Sequence, residues 1–89
     1  MTAQEPIRTL VVDDDFRVAR IHAMSVERIE GFFCVGQAHT AAHARALIAT
    51  ERPDLLILYI YLPDEDGLSL HRSLPGAGAA PDCIFIPAP

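Results

Sequence analysis

The stretch 53-PDLLILYIYLPDEDGL-68 decides how the rest of the chain is read. Residues 54–60, DLLILYI, are apolar without alternation. That pattern marks a strand of a parallel sheet covered on both faces, since an antiparallel strand with one wet face alternates. Pro53 stops whatever precedes it, and 61-YLPDEDG-67 is a loop punctuated by Pro and Gly and rich in acid. Where the strand meets that loop stands Tyr59.

Working outward, the same strand-to-helix alternation repeats. IRTLVV, residues 7–12, is a β-branched run that breaks into three acids, Asp13, Asp14 and Asp15. From Asp15 to Ile29 the apolar residues Val18, Ile21, Val26 and Ile29 follow helical spacing, with Asp15 placed to cap the helix. FFCVGQA, 32–38, is a second strand, and Thr40 caps a helix over AAHARALIATE. A capping box there would want Glu or Gln at position 43, where the chain has His43. A short helix is expected at 68–74, a connector at 75-PGAGAAP-81 and a fourth strand at 83–86. The order β-α-β-α-β-α-β gives a parallel sheet with right-handed crossovers, and ligand sites in such sheets lie off the carboxyl ends of the strands. The topology therefore brings Asp13 and Asp14 beside Tyr59.

Composition bounds what such a site serves. Eighty-nine residues make one small domain, and 51% hydrophobic content is ample for its core. The net charge is −5, all seven basic residues are Arg, and there is no Lys, which argues against a broad nucleic-acid surface. MTAQEPIRTL lacks the form of a signal peptide, and no apolar run is long enough for a membrane span; a cytoplasmic setting is expected. Cys34 and Cys83 fit no CxxC spacing and are expected as buried thiols. His39 and His43 need not share a helix face, since Thr40 is the cap. His22 reads as a boundary residue and His71 as exposed. The glycines of PGAGAAP follow no strand and carry no GK, so they form no phosphate loop.

Two adjacent carboxylates at a strand end, with loop oxygens nearby, are the donors a hard cation such as Mg²⁺ takes. With that chemistry in place, LVVDDD (10–15), VGQAHTAAHA (35–44) and PDLLILYIYLPDEDGL (53–68) make the chain resemble the receiver domain of two-component response regulators. The resemblance runs from residue 7 to about 86, and DDDFRVARIH and YLPDEDGL are most similar to the citrate- and dicarboxylate-sensing branch. It implies a flavodoxin-like, three-layer α/β/α fold with strand order 2-1-3-4. It also implies that a fifth strand, two further helices and the helix-turn-helix output domain of that branch are missing from 1–89.

Residue by residue, the resemblance assigns the Mg²⁺ pair to Asp13 and Asp14 and the backbone carbonyl that completes the metal site to Tyr61. The phosphoacceptor Asp falls on Tyr59, the phosphoryl-binding Ser or Thr on Pro87, and the Lys has no match. A phenol forms no acyl phosphate and is a poor ligand for Mg²⁺ near pH 7. Pro87 offers neither hydroxyl nor N–H. The expectation is thus a receiver that has lost phosphotransfer, holds Mg²⁺ weakly at best, and works through protein contacts. Tyr59 is expected to plug the emptied pocket, with its hydroxyl donating to Asp13 or Asp14. The partners are a sensor histidine kinase or another receiver, met through Val18, Ile21 and Leu62. Without a covering helix, apolar residues of strands one and three would lie bare and strand four would be an open edge, so self-association is expected. Two alternatives stand beside this. One is an Mg²⁺-dependent phosphohydrolase using Asp13 and Asp15 in a DxD arrangement. The other is an ordinary receiver carrying an introduced Asp-to-Tyr change at position 59.

Overall fold

The computed structural model describes residues 5–75 and 80–87. Four strands, β1 (Ile7–Val12), β2 (Phe32–Ala38), β3 (Leu55–Tyr59) and β4 (Asp82–Ile86), alternate with three helices, α1 (Phe16–Glu27), α2 (Ala41–Glu51) and α3 (Gly67–Ser73). The strands form one parallel sheet in the order β2-β1-β3-β4. The expected fold and strand order hold. Most of the connector, residues 76–79, lies outside the described residues.

Local chemistry sets the element ends. The Asp15 carboxylate accepts from Arg17 N (2.9 Å) and caps α1, and Thr40 Oγ1 accepts from His43 N (3.0 Å) and caps α2. Helix α1 stops at Glu27, two residues short of the expected Ile29, and Gly31 follows at φ 89°, a conformation that glycine adopts freely. Helix α2 ends with Arg52 in the left-handed region, φ 48°, immediately before Pro53. β3 is shorter than 54–60 because Asp54 turns its carboxylate to the Arg8 N–H (2.9 Å) and Ile60 begins the loop.

Each strand feeds both faces of the sheet. Leu10, Val12, Leu56 and Leu58 pack with Ala38, Ala41, Ala44 and Leu70 into the larger core, under α2. Val11 packs with Ala19 and Ala23 on the opposite face, under α1. Strand one is therefore not bare as expected, because α1 covers it. On this face the less covered residues lie on β3, the other strand expected to be bare, where Ile57 is half-buried, and on β4, where Ile84 is 51% exposed. Cys34 and Cys83 are free thiols, half-buried rather than buried, since each sits on an edge strand. Burial still pushes both thiols up, Cys83 to about 11.

Candidate functional site

At the carboxyl end of β1 the chain bends through Asp13. Its N–H donates to Ala38 O (2.9 Å) and its carbonyl accepts from His39 Nδ1 (2.9 Å). His39 in turn stacks flat on Phe16, with ring centroids 3.7 Å apart and planes 10° apart. The bend is thereby clamped between β2 and the first turn of α1, a role for His39 and Phe16 that their spacing in sequence did not signal.

The Asp13 side chain is buried, the residue being 4% exposed. Oδ1 accepts the Asp15 N–H (2.9 Å). Burial holds the carboxyl above the usual carboxylate range; the Asp15 N–H works against that shift, and the charge on Asp14 adds to it. Asp14 is exposed beside it.

Tyr59 ends β3, in register with Ile86 at the end of β4. Its ring packs against the larger core and meets Tyr61 edge-on, centroids 5.9 Å apart. Among the described residues its hydroxyl makes no hydrogen bond to Asp13 or Asp14. The expected donation is thus not made, because the ring is held by packing and by its neighbour.

A cavity of about 500 Å³ opens at these strand ends. Asp13, Asp14 and Asp15 line it on one side, Tyr59, Ile86 and Pro87 on another, and Val18 and His22 of α1 close it. Four of the residues singled out for the site, Asp13, Asp14, Tyr59 and Pro87, meet there. Tyr61 is not part of its wall; it bridges to Asp66 across the loop, 59% exposed. Val18 belongs to the cavity and Ile21 is 62% exposed, whereas Leu62 is 8% exposed within the core. Leu62 as a partner-facing residue is therefore corrected: the loop turns back at Leu62, packing the side chain inward. His22 and Ile86 were not expected in the site; their places at a helix face and a strand end follow from the register alone.

The second acid group, 64-DED-66, does not supply oxygens to the cavity. Asp64 accepts from Ala41 N (2.8 Å) and Ala42 N (3.0 Å) at the start of α2. Those bonds hold it below the usual carboxylate range. Glu65 forms a two-pronged pair with Arg45 (2.7 and 2.8 Å), which also reaches Ser73 Oγ (2.8 Å). Asp66 caps α3 through Leu68 N (2.7 Å). Among the described residues no three His, Cys, Asp or Glu side chains converge as a metal ion would require. Asp13 and Asp14 meet at the cavity, and a largely hydrated Mg²⁺ needs only one or two carboxylates, but Tyr61, whose carbonyl the resemblance adds to them, is not among the residues that line it.

The fold and site now carry a family. The model of the response regulator receiver domain matches residues 9–88, and the chain belongs to that family. It is similar to the transcriptional regulatory protein CitT of Bacillus subtilis, 42% identical over 82 residues, covering 92% of this chain and 36% of CitT. It is similar to the probable C4-dicarboxylate response regulator DctR of Halalkalibacterium halodurans (37% identical, 97% of this chain, 38% of DctR). It is also similar to a protein-glutamate methylesterase of Myxococcus xanthus (35% identical, 97% of this chain, 25% of that protein). Thus the chain spans little more than a third of the regulators it matches. Among solved structures, the MaeR response regulator bound to beryllium trifluoride superposes with a TM-score of 0.82 at 32% identity, over 92% of this chain and 67% of that one.

Proposed function

We propose that this receiver has lost its phosphoryl chemistry and signals through protein contacts. The observation that carries the proposal is Tyr59, a phenol at the end of β3 where the chemistry calls for a carboxylate, in a cavity shared with Asp13, Asp14 and Pro87. A phenol cannot give the mixed anhydride that a carboxylate forms with a phosphodonor. Pro87 adds no hydroxyl and no N–H to hold phosphoryl oxygens. Asp13 and Asp14 would hold Mg²⁺ more weakly than a set with a third carboxylate.

Intact-mass measurement after incubation with acetyl phosphate and Mg²⁺ tests this, run beside Tyr59→Asp. The unaltered chain is expected to stay unmodified. An adduct on Tyr59→Asp alone supports a site intact except for its acceptor, and an adduct on the unaltered chain sinks the proposal. The same experiment weighs the ordinary receiver with an introduced change at position 59, which requires the variant to phosphorylate at a normal rate. A phosphohydrolase requires turnover of a chromogenic phosphate ester that Asp13→Asn abolishes.

The contacts proposed are with a sensor histidine kinase or another receiver, in the cytoplasm, within a transcriptional regulator of the citrate and dicarboxylate kind. They run through α1. Ile21 and Met24 are 62% and 49% exposed there, and Arg17, Arg20 and Arg28 are exposed around them. Such a face suits an acidic partner with an apolar strip. No described helix is long and apolar enough to cross a membrane. For the 89 residues on their own, self-association is supported by Ile84 on the open edge strand β4; a monomer by light scattering at micromolar concentration would count against it.

A further inference from the structure

We propose that two copies of the 89-residue chain pair face to face about a two-fold axis, each laying its α1 over the β3–β4 half of the other's sheet. The inference rests on the self-association read above and deepens it, naming the surfaces that meet and their orientation. Side chains alternate along a strand, so with Leu56 and Leu58 in the larger core, Leu55 and Ile57 fall on the α1 side. The register Leu55↔Asp82, Ile57↔Ile84 puts Asp82, Ile84 and Ile86 on that side as well. Among the described residues α1 lies over β1 and β2, while α2 and the Leu70 side chain of α3 pack on the opposite face. Leu55, Ile57 and Ile86 are left half-buried and Ile84 exposed, as the floor of an apolar trough beside α1. A helix covers about two strands, since helices pack about 8–10 Å apart and strands lie about 4.8 Å apart. Four strands therefore take two helices on this face, and the chain supplies one.

The outer face of α1 is the complement of the trough. At about 3.6 residues per turn, Arg17, Ile21 and Arg28 lie opposite Ala19, Ala23 and Val26, which face the helix's own sheet. Ile21 is 62% exposed, with an arginine toward either end of the helix. The trough repeats that pattern with the charge reversed: its middle is apolar, Asp82 is exposed where β4 begins, and Asp14 is exposed where β1 ends. The lengths agree, the 12 residues of α1 spanning about 18 Å and the 5 residues of β3 or β4 about 17 Å. A two-fold axis parallel to the strands sets the two α1 helices side by side between the sheets, each over the other copy's β3 and β4. It also keeps like strand ends together, so Arg28 comes to Asp82 of the second copy and Arg17 to its Asp14. Both troughs are then filled, and the assembly closes at two. The pair hides the α1 face proposed above for a kinase, so the two associations compete.

Sedimentation equilibrium of the 89-residue chain at micromolar concentration and above tests the proposal, with circular dichroism checking that each variant folds. A reversible monomer–dimer equilibrium is expected. Arg28→Asp and Asp82→Arg, both at exposed positions, are each expected to weaken the dimer about ten-fold, and the double variant R28D/D82R to recover it. Arg20→Asp makes the same change of charge on the flank of α1 and is expected to leave the dimer as it was. Ile21→Asp is expected to give a monomer. A dimer unmoved by Ile21→Asp and Arg28→Asp would overturn this arrangement in favour of edge-to-edge pairing of β4, with self-association still standing. Failure of the double variant to recover what the folded single variants lose would overturn the two-fold orientation. A parent chain that stays monomeric would overturn self-association itself, and the arrangement with it.

Discussion

Replacing Gly67 by Ala is expected to lower stability by about 2 kcal/mol, and the contacts around that residue show why. A Cβ built on Gly67 would lie 2.7 Å from the Tyr59 carbonyl oxygen, 3.0 Å from Ile60 Cα and 3.2 Å from Ile60 O. All three are backbone atoms at the end of β3, so no side chain can swing aside. Overpacking of this kind costs about 1–3 kcal/mol. Moving the backbone apart also strains the Gly67 N–H bond to Ile60 O, 2.6 Å long, a contact contributing about 1 kcal/mol. Against these stands the helix preference of Ala over Gly, at most about 1 kcal/mol, since Gly67 is the first residue of α3. The clash wins. For a domain of this size, about 2 kcal/mol corresponds to a fall in Tm of about 8–16 °C. Gly36→Ala is the matched control: its Cβ would meet only Leu47 Cδ1 at 3.5 Å and Leu10 Cδ1 at 3.6 Å, ordinary contacts with flexible side chains. Thermal and urea melts of both variants, monitored by circular dichroism, decide the matter. If Gly67→Ala melts with the parent while Gly36→Ala does not, the close approach of α3 to the end of β3 is wrong.

Asp13→Asn is expected to stabilise the chain near neutral pH, seen as a higher urea midpoint with an unchanged slope. Asn keeps the acceptor for the Asp15 N–H and removes a charge that burial disfavours. Because the folded pKa of Asp13 is raised, its penalty is present above that value and vanishes as pH falls through the ordinary carboxylate range, so the gain should shrink on acidification. Asp64 and Glu65 carry the opposite sign. Their folded values are depressed, so their contribution is present above the ordinary carboxylate range and is lost as pH falls through the folded ones. Acid titration should unfold the chain in that low window, and Asp64→Ala should flatten the curve there. Leu62→Ala, at a core position, is expected to cost about 2–4 kcal/mol, whereas Ile21→Ala should stay within about 0.5 kcal/mol and weaken partner binding instead. Equal melts for these two variants would show that Leu62 is not core.

Periodicity carried the fold. The unalternating apolar run before Pro63 announced a parallel strand covered on both faces; Leu56 and Leu58 are fully buried on one face, while Ile57 on the other is half-buried. Asp15 and Thr40 announced the caps of α1 and α2 because a cap bonds within three residues of itself, a distance that sequence reading spans. The site's membership was legible for the same reason. Asp13, Tyr59 and Pro87 end or follow neighbouring strands of a parallel sheet, and the β1–β3–β4 register does the rest. What escaped were bonds joining residues distant in sequence. His39 on the Asp13 carbonyl, Asp64 on the first amides of α2 and Glu65 on Arg45 are separated by 26, 23 and 20 residues, respectively, and residue type alone could not choose those partners.

That division bears on how the site is to be understood. The acids at 64–66 read as spare oxygens for a cation, yet each is occupied in holding the loop: Asp64 and Glu65 to α2, Asp66 to the start of α3. Removing them from the cavity leaves Asp13 as its one buried charge, with Asp14 exposed at the rim. The same latch ties the loop after Tyr59 to α2 at Ala41, Ala42 and Arg45. Tyr59 itself is fixed by packing and by the Tyr61 edge rather than by bonds to the acids. Its ring therefore forms one side of the cavity while the carboxylates form another. A phenol hydrogen-bonded to Asp13 would have closed the cavity; a phenol held by its ring leaves the space beside Asp13 open.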